Sequence, residues 1–404
     1  MRISTTTLFE ANSSKLSDLQ ARMMQTQQQI SSGRRIQTPA DDPIASARAY
    51  EVNQARSVNE QYATNRRNVK DSLSLEEGAL QGVTSLIQDV KTLMVSAGNG
   101  SYSDTERKFL ATELKERFDE LLSLANSNDG LGGFVFAGFR SDTQPFSKIA
   151  AGAVYNGDQG DRMLQVSASR QLPFGHNGSA VFEQIMTGNG TFAIDAAAGN
   201  AGSGIFSPGV VKDVTALTGD EYSVKFSVVG GVTTYTVSNV TDGTDVVPAP
   251  GNPYVSGEAI SFDGLQFEIS GTPADLDSFS VNPSENQSMF KTVKDLIGAL
   301  EAGATGSAGQ ARLNNALTIA HGNLDNALDN VLTVRAEIGT RLKEIESMDS
   351  SGEDINLQYA ETLSELQDLD YAKAISSLVQ QKTTLDAAQQ SFVKISNLSL
   401  FNYL

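Results

Sequence analysis

Apolar residues recur every seven positions near both ends of the chain. The N-terminal set is Phe9, Leu16, Met23 and Ile30, with Leu19 beside it, and the C-terminal set is Tyr371, Leu378, Leu385 and Phe392, followed by Ile395. A seven-residue apolar repeat is typical of a helix that packs in a coiled coil. Because one such face cannot bury itself, the pattern predicts that the ends pair with each other or with neighbouring copies. These ten residues form the predicted assembly interface.

Proline and glycine separate the helical ends from the middle of the chain. Eight of the ten prolines and 23 of the 35 glycines lie between residues 127 and 283. Both residues are disfavoured inside helices. The sequence therefore predicts an α+β fold. Its long N- and C-terminal helices would form an antiparallel coiled-coil or helical-bundle rod, with a central β-rich inserted domain.

Five segments follow from this division. They are an N-terminal assembly arm and linker (1–42), the N-terminal part of the rod (43–144), a β-rich outward domain (145–283), the C-terminal part of the rod (284–350) and a C-terminal assembly arm (351–404). In the outward domain, apolar residues alternate over 222–228 and 233–237, and again on both sides of Asp263-Gly264. This alternation predicts two β-hairpins.

Capping residues indicate where the helices begin and end. The first helix should run from Thr5 to Ser32 and stop at Gly33, and the second should start at Pro43 with Asp42 as its N-cap. The polar stretch around 65–72 could interrupt that second helix. Ser103 and Glu106 fit a capping box for a third helix, with Phe109 on its apolar face.

Further capping patterns lie in the last third of the sequence. Ser284 and Gln287 predict the restart of helix, and a seven-residue repeat from Leu317 to Ile345 predicts a long helix. The run 350–352 (Ser-Ser-Gly) should break that helix, and the acidic stretch 349–354 should form the turn before the last arm.

Composition excludes several classes of site. The 404 residues include no Cys, no Trp and two His, and the net charge is −18. Disulfides and thiolate metal sites are therefore impossible, and an acidic chain is a poor partner for nucleic acid or an anionic membrane. The N-terminus lacks the apolar segment of a cleavable signal peptide. Residues 1–38 carry five basic and two acidic side chains, whereas residues 349–404 carry three basic and eight acidic ones, which favours pairing of the ends.

The candidates for catalysis are few and their settings argue against it. His176 lies in a Pro/Gly-rich loop and His321 on a helix, neither with the spacing of a metal motif. Asp41 and Asp42 suit a helix start better than acid–base chemistry. The run 188–190 (Gly-Asn-Gly) precedes a strand pattern rather than a helix, so it does not match a phosphate-binding loop. We expect no enzyme activity, no cofactor and no metal.

Several segments resemble the bacterial flagellin family. GRRIQTPADDPIASARA is similar to its N-terminal signature, and DYAKAISSLVQQKTTLDAAQQSFVKISNLSLFNYL to its C-terminal helix. MRISTTTLFE, GGFVFAGFRSDTQPF, VYNGDQGDR and SFSVNPSENQSMFKTVKDLIGAL resemble segments of the family's junction proteins, which lie next to the filament. The resemblance assigns Ile36, Asp41, Asp42 and Pro43 to the family signature.

The resemblance also implies a location and partners. It implies an extracellular structural adaptor at the junction of hook and filament, in a ring of identical subunits. The partners would be the first hook-associated protein, flagellin and an export chaperone that binds near the C-terminus. Export would use the flagellar type III apparatus without signal cleavage. Nucleic acid and membrane are not expected as partners.

Two alternatives remain open at this point. The first is a flagellin of the filament itself. The second is an exported enzyme or surface-binding module on a helical stalk. An inserted metalloprotease would need an HExxH motif, which the sequence lacks. A carbohydrate-binding insert would use aromatic side chains such as Tyr222, Tyr235 and Tyr254.

Overall fold

Long helices lie at both ends of the chain and strands dominate its centre, which confirms the predicted α+β fold. The computed structural model describes residues 5–130 and 132–397, except for the side chains of residues 5, 6, 8 and 395–397. Contacts divide the described chain into two units. The terminal unit takes the residues up to Thr64 and from Ser347, and the central unit is Asn65–Glu346.

Seven α-helices are present in the described residues. They are α1 (Thr5–Ser32), α2 (Pro43–Ala97), α3 (Asp104–Ala125), α4 (Gly178–Phe182), α5 (Met289–Ala302), α6 (Gly306–Gln367) and α7 (Tyr371–Asn397). Of these helices, none combines the length and apolar character that crossing a membrane requires.

The second and third helices begin where their capping residues predict. After α1, Gly33 adopts a φ of +70°, a backbone conformation that glycine accepts without strain. The capping box of α3 is complete, because the side chains of Ser103 and Glu106 each accept from the other residue's backbone N–H. Phe109 was wrongly assigned to the apolar face of α3. Its side chain is 69% exposed, since the buried face follows Ala111, Leu114 and Phe118.

One possible and one predicted helix break are absent. α2 continues through 65–72, where Val69 and Leu73 are fully buried and hold the helix in the core. α6 continues through 350–352, so the predicted turn at 349–354 is also wrong. Gly352 is buried there and its carbonyl accepts from Asn59 Nδ2 at 2.8 Å. Packing of this kind outweighs the roughly 1 kcal/mol that a glycine costs inside a helix.

The helix predicted to start at Ser284 begins later. Ser288 is the N-cap of α5 and its hydroxyl accepts from the N–H of Lys291 at 3.3 Å. The hydroxyl of Ser284 instead donates to the carbonyl of Thr187 at 2.6 Å. These residues therefore pair with a distant strand, although the local capping pattern predicted a helix.

Fifteen strands occur in the described part of the chain. They are β1 (Phe146–Ile149), β2 (Gly152–Tyr155), β3 (Met163–Ser167), β4 (Arg170–Pro173), β5 (Ile185–Met186), β6 (Phe192–Ala196), β7 (Ile205–Phe206), β8 (Val210–Val211), β9 (Tyr222–Val229), β10 (Val232–Asn239), β11 (Thr244–Pro253), β12 (Ala259–Phe262), β13 (Leu265–Ser270), β14 (Ser278–Pro283) and β15 (Asn286–Gln287).

The strands form two larger antiparallel sheets. The first has the order β11-β10-β9-β14-β6, and the second joins β12, β13, β7 and β8. Both predicted hairpins are confirmed, β9–β10 around Gly230-Gly231 and β12–β13 around Asp263-Gly264. Three two-stranded ribbons, β1–β2, β3–β4 and β5–β15, lie outside these sheets.

The two larger sheets and the ribbon β1–β2 pack in different apolar clusters of the central unit. The two larger sheets share a core whose buried members are Phe192, Ile194, Phe206, Tyr222, Val224, Phe226, Val237, Ile260, Phe262, Leu265, Phe267, Ile269, Phe279 and Val281. The second cluster is aromatic. Phe146 of β1 lies 5.0 Å from Phe290 of α5 and 5.4 Å from Phe182 of α4, measured between ring centroids. The ribbon β1–β2 is therefore anchored on the helices rather than on the sheets.

Candidate assembly site at the paired termini

The first and last described helices pack against each other in antiparallel directions. The rings of Phe9 and Phe392 lie 5.1 Å apart at one end of the pair. At the other end Gly33 faces Tyr371, and a Cβ added to Gly33 would lie 2.9 Å from the Tyr371 hydroxyl oxygen. The structure thus brings the two predicted apolar repeats together within one chain.

The pairing covers only part of the predicted interface. Leu385 is buried, at 6% exposure, whereas Phe9 and Tyr371 are 54% and 51% exposed. The remaining members are half-buried: Leu16, Leu19, Met23, Ile30, Leu378 and Phe392. The side chain of Ile395 lies outside the described residues. The contact of α1 with α7 therefore leaves apolar surface accessible on both helices.

A second apolar row on α7 lies beside this contact. Tyr371, Ile375 and Val379 follow one another at a spacing of four, which places them along one helical face. Their exposed fractions are 51%, 50% and 60%. We call these three residues the α7 row. The seven-residue repeat does not include Ile375 and Val379, although their spacing of four from Tyr371 is visible in the sequence next to it.

The linker between α1 and α2 is organised by Asp41. Its carboxylate accepts from the backbone N–H groups of Thr38 at 2.8 Å and Gln37 at 3.0 Å. The amide of Gln25 donates to it at 2.8 Å. These donors, the Thr38 N–H first, lower the pKa of Asp41 below its ordinary value. The carboxylate is thus occupied in shaping the turn.

Asp42 lies at the start of α2 and contacts the helix directly. Its side chain accepts from the N–H of Ala45 at 3.0 Å, the contact of an N-cap, and Pro43 is the first helical residue. Arg35 approaches the same carboxylate at 3.4 Å. Ile36 is buried at 9% exposure. The four signature residues therefore lie together where α1 passes into α2.

The linker also binds the turn between α6 and α7. The backbone N–H and the guanidinium of Arg35 donate to the carbonyls of Gln367 and Leu366, each at 2.7 Å. The N–H of Leu369 donates to the carbonyl of Gly33 at 3.0 Å. Cations near the last carbonyls stabilise a helix C-terminus. No local sequence pattern predicts this role of Arg35, because its partner lies 331 positions away.

The tyrosines considered for carbohydrate binding serve the core instead. Tyr222 is 1% exposed and its hydroxyl donates to Asp263 Oδ2 at 2.8 Å. Burial raises the pKa of Tyr222 to about 12. The Tyr254 hydroxyl lies 2.9 Å from the carbonyl oxygens of Ile269 and Gly271, and the ring of Tyr235 packs on the core. These three rings do not form an exposed platform for a sugar.

Within the described residues, no group of three or more His, Asp or Glu side chains is placed to hold a metal ion.

Comparison with known proteins relates both parts of the chain to the flagellum. The family model of the bacterial flagellin N-terminal helical region matches residues 3–141. The model of the D2-like domain of flagellar hook-associated protein 1 matches residues 196–283. The second match falls on the strands that form the two larger sheets.

Two curated relatives that match over nearly the whole chain carry the same name. Flagellar hook-associated protein 3 of Salmonella typhimurium (strain LT2) is 30% identical over 402 residues, and that of Escherichia coli (strain K12) is 30% identical over 401 residues; each match covers 99% of both chains. The crystal structure of flagellar hook associated protein-3 from Legionella pneumophila is 32% identical, with a TM-score of 0.75 over 78% of this chain and 98% of that one. From these full-length matches we conclude that the chain belongs to the flagellar hook-associated protein 3 family.

Proposed function

We propose that the chain is a structural adaptor subunit that joins the hook of the bacterial flagellum to its flagellin filament. Its terminal helices would build the contacts between subunits, and it would act by packing rather than by catalysis. The observation that carries this assembly role is the α7 row. Tyr371, Ile375 and Val379 stay about half exposed or more after α1 has packed on α7.

An apolar row of this kind is typical of a surface that a partner covers. Fully burying a large apolar side chain contributes about 1.5–3 kcal/mol, so completing the burial of three half-exposed ones favours association by several kcal/mol.

Charge favours one arrangement of neighbouring subunits. The acidic C-terminal segment repels its own copies and attracts the basic N-terminal segment of an adjacent subunit. We therefore expect α7 of one subunit to meet α1 of the next in a ring.

The proposed partners follow from the relatives. A hook-associated protein 3 would contact the first hook-associated protein on one side and flagellin on the other. The match of the N-terminal region to flagellin and of the central sheets to hook-associated protein 1 supports this intermediate position. An export chaperone would bind near the C-terminus before assembly. The chain would leave the cell through the flagellar type III apparatus without signal cleavage and act outside the cell.

Immunogold labelling of the bacterium's own flagella tests the proposed position. The antibody should recognise residues 145–283. We expect one label where each hook meets its filament. Label along the whole filament would identify a filament flagellin instead. Absence of label from every flagellum would favour an exported surface-binding module.

Substitution of Ile375 by Asp tests the assembly role of the α7 row. A carboxylate on this face would oppose burial by a neighbour, so we expect cells with Ile375→Asp to lose swarming in soft agar. Gln380→Asp is the matched control, because Gln380 lies on the opposite face of α7 and is exposed. Circular dichroism should show the same helix and strand content in both variants. Normal swarming by Ile375→Asp would remove the α7 row from the assembly surface.

The predicted apolar repeat provides a second pair of variants. Leu385→Asp and Phe392→Asp should also abolish motility while the central sheets stay folded. Normal motility in both would show that the C-terminal arm has no assembly role.

A further inference from the structure

His176 lies between two long helices of the central unit and contacts charged residues on both. It belongs to the segment between β4 and α4, at residues 174–177. Its Nδ1 is 2.7 Å from Glu76 Oε1 on α2. Its Nε2 is 2.9 Å from Arg341 Nη1 and 3.3 Å from Glu337 Oε2, both on α6. One imidazole therefore connects the loop to α2 and α6.

The contact with Glu76 fixes one side of the ring. The Glu76 side chain is fully buried and that of His176 is 12% exposed. Glu76 Oε1 also accepts from the backbone N–H of His176 at 3.2 Å. A carboxylate at this distance requires a proton on Nδ1, because it can only accept. The neutral ring must then carry its lone pair on Nε2.

The other side of the ring has two incompatible partners. When the ring is neutral, Nε2 accepts a hydrogen bond from Arg341. When Nε2 is protonated, it becomes a donor, so Arg341 can no longer donate to it and Glu337 becomes its acceptor. Arg341 Nη2 donates to Glu337 Oε2 at 2.9 Å, and both side chains lie next to the ring.

We propose that His176 is a proton-operated latch that fastens the 174–177 loop to α2 and α6. One proton from solvent binds Nε2, and the partner of Nε2 on α6 changes from Arg341 to Glu337. Nδ1 keeps its bond to Glu76 in both states. The protonated ring is held by two carboxylates from two helices, whereas the neutral ring is held by the Glu76 carboxylate and the Arg341 guanidinium.

The surrounding charges set the direction of the switch. Burial of the ring lowers the pKa of His176, and the charge of Arg341 lowers it further. The hydrogen bond and charge of Glu76, together with Glu337, raise this pKa by more than burial and Arg341 lower it. The net result is a pKa above the ordinary value of 6.5. Glu77 and Arg335, also on α2 and α6, pair with each other at 2.8 Å, and Asp161 contacts the amide of Asn177.

The sign of the stability effect follows from this raised pKa. The folded chain binds the proton more tightly than the unfolded chain, so the latch contributes its full stabilisation below the pKa of the unfolded state. That contribution is lost as the pH rises through the higher pKa of the folded state. The latch therefore closes in mildly acidic surroundings and loosens in alkaline ones.

Nuclear magnetic resonance of the full chain tests the latch. The sequence has two histidines, so His321→Gln assigns the imidazole signals. Long-range proton–nitrogen spectra between pH 5 and 9 give the tautomer and the pKa of His176. We expect the neutral ring to carry its proton on Nδ1, and the ring to titrate at a higher pH than in the chain unfolded by urea.

Two substitutions on α6 separate a latch from a passive buried ring. Glu337→Gln should lower the pKa of His176, because a nearby carboxylate favours the protonated ring, and Arg341→Gln should raise it, because a nearby cation disfavours that ring. Lys343→Gln removes an exposed charge of α6 and should leave it unchanged. An Nε2-protonated neutral ring, or a pKa that neither substitution moves, would overturn the proposal. The two variants are independent, so failure of one to fold still leaves a decisive measurement.

Discussion

Asp41 and Asp42 are adjacent in the sequence and act on different parts of the backbone. Asp42 contacts the first turn of α2, whereas Asp41 accepts from the linker that precedes it. The position of Asp42 before Pro43 could be predicted, because capping depends on residues three positions apart. The role of Asp41 could be only partly predicted. One of its donors, Gln25, lies about two helix turns before the end of α1 and meets it only after the chain reverses.

Acid titration of the Asp41 carboxylate should reveal its hydrogen bonds in the linker. Because donors to its carboxylate lower the pKa of Asp41, the bonds to Gln37 and Thr38 should persist as the pH falls past about 3.9, the ordinary value for Asp. They should be lost only as the pH passes through the lower, folded-state value. The amide proton shifts of Gln37 and Thr38 measure this directly. In Asp41→Ala those shifts should already be altered at neutral pH, and Asp18→Ala, which changes an exposed acid of α1, should leave them as in the parent chain.

The helices show which element boundaries follow from sequence. The starts of α2 and α3 were correctly predicted because each depends on a short capping pattern. The start of α5 was not, since two capping patterns overlap at 284–288 and the pairing of β15 with β5 selects the later one. α6 passes through the predicted break because Gly352 is packed and hydrogen-bonded. Such long-range contacts are invisible to a local pattern.

The α1–α7 pair should depend strongly on its one buried leucine from the predicted repeat. Leu385→Ala removes a side chain that is 6% exposed, and such truncations cost about 2–5 kcal/mol. We expect the lower end of that range, because neighbouring side chains are only half-buried. Chymotrypsin should therefore cut the terminal helices of the monomeric variant several-fold faster than those of the parent chain.

Thr384→Ala is the matched control for this experiment, since Thr384 is exposed on another face of α7. Its digestion rate should equal that of the parent chain. Equal rates for Leu385→Ala and the parent would mean that α1 and α7 are not held together in the free subunit.

At the scale of the whole molecule, the core of the two larger sheets comes from one continuous stretch of chain. Every fully buried member lies between Phe192 and Val281. The β-rich insert and its two hairpins could be predicted from the sequence, but the division of that insert could not. The anchoring of β1 on α5 rests on ring contacts between residues more than a hundred positions apart, such as Phe146 and Phe290.

A fragment of residues 188–287 should therefore fold alone. We expect a cooperative thermal transition in circular dichroism, although the fragment loses contacts with α6. These include the hydrogen bonds of Asn315 to Gly204 and Phe206, the bond of Asn323 to Gly188 and the packing of Ile319 on the core. Phe226→Ala should destabilise it by about 3–5 kcal/mol, because this ring is 2% exposed. Val232→Ala, at a position 61% exposed, should change little. A parent fragment without a cooperative transition would show that the sheets need the helices to fold.

The two points where the chain enters and leaves these sheets are neighbours in one ladder. Phe192, the first residue of β6, pairs with Pro283, the last residue of β14. Paired residues of antiparallel strands lie about 5 Å apart, so a tight turn can replace everything between them. Evolution and protein engineers can therefore exchange this segment as a cassette. An unrelated domain or a foreign epitope whose termini lie close together can be carried at the same place, while the residues that pair α1 with α7 keep their sequence.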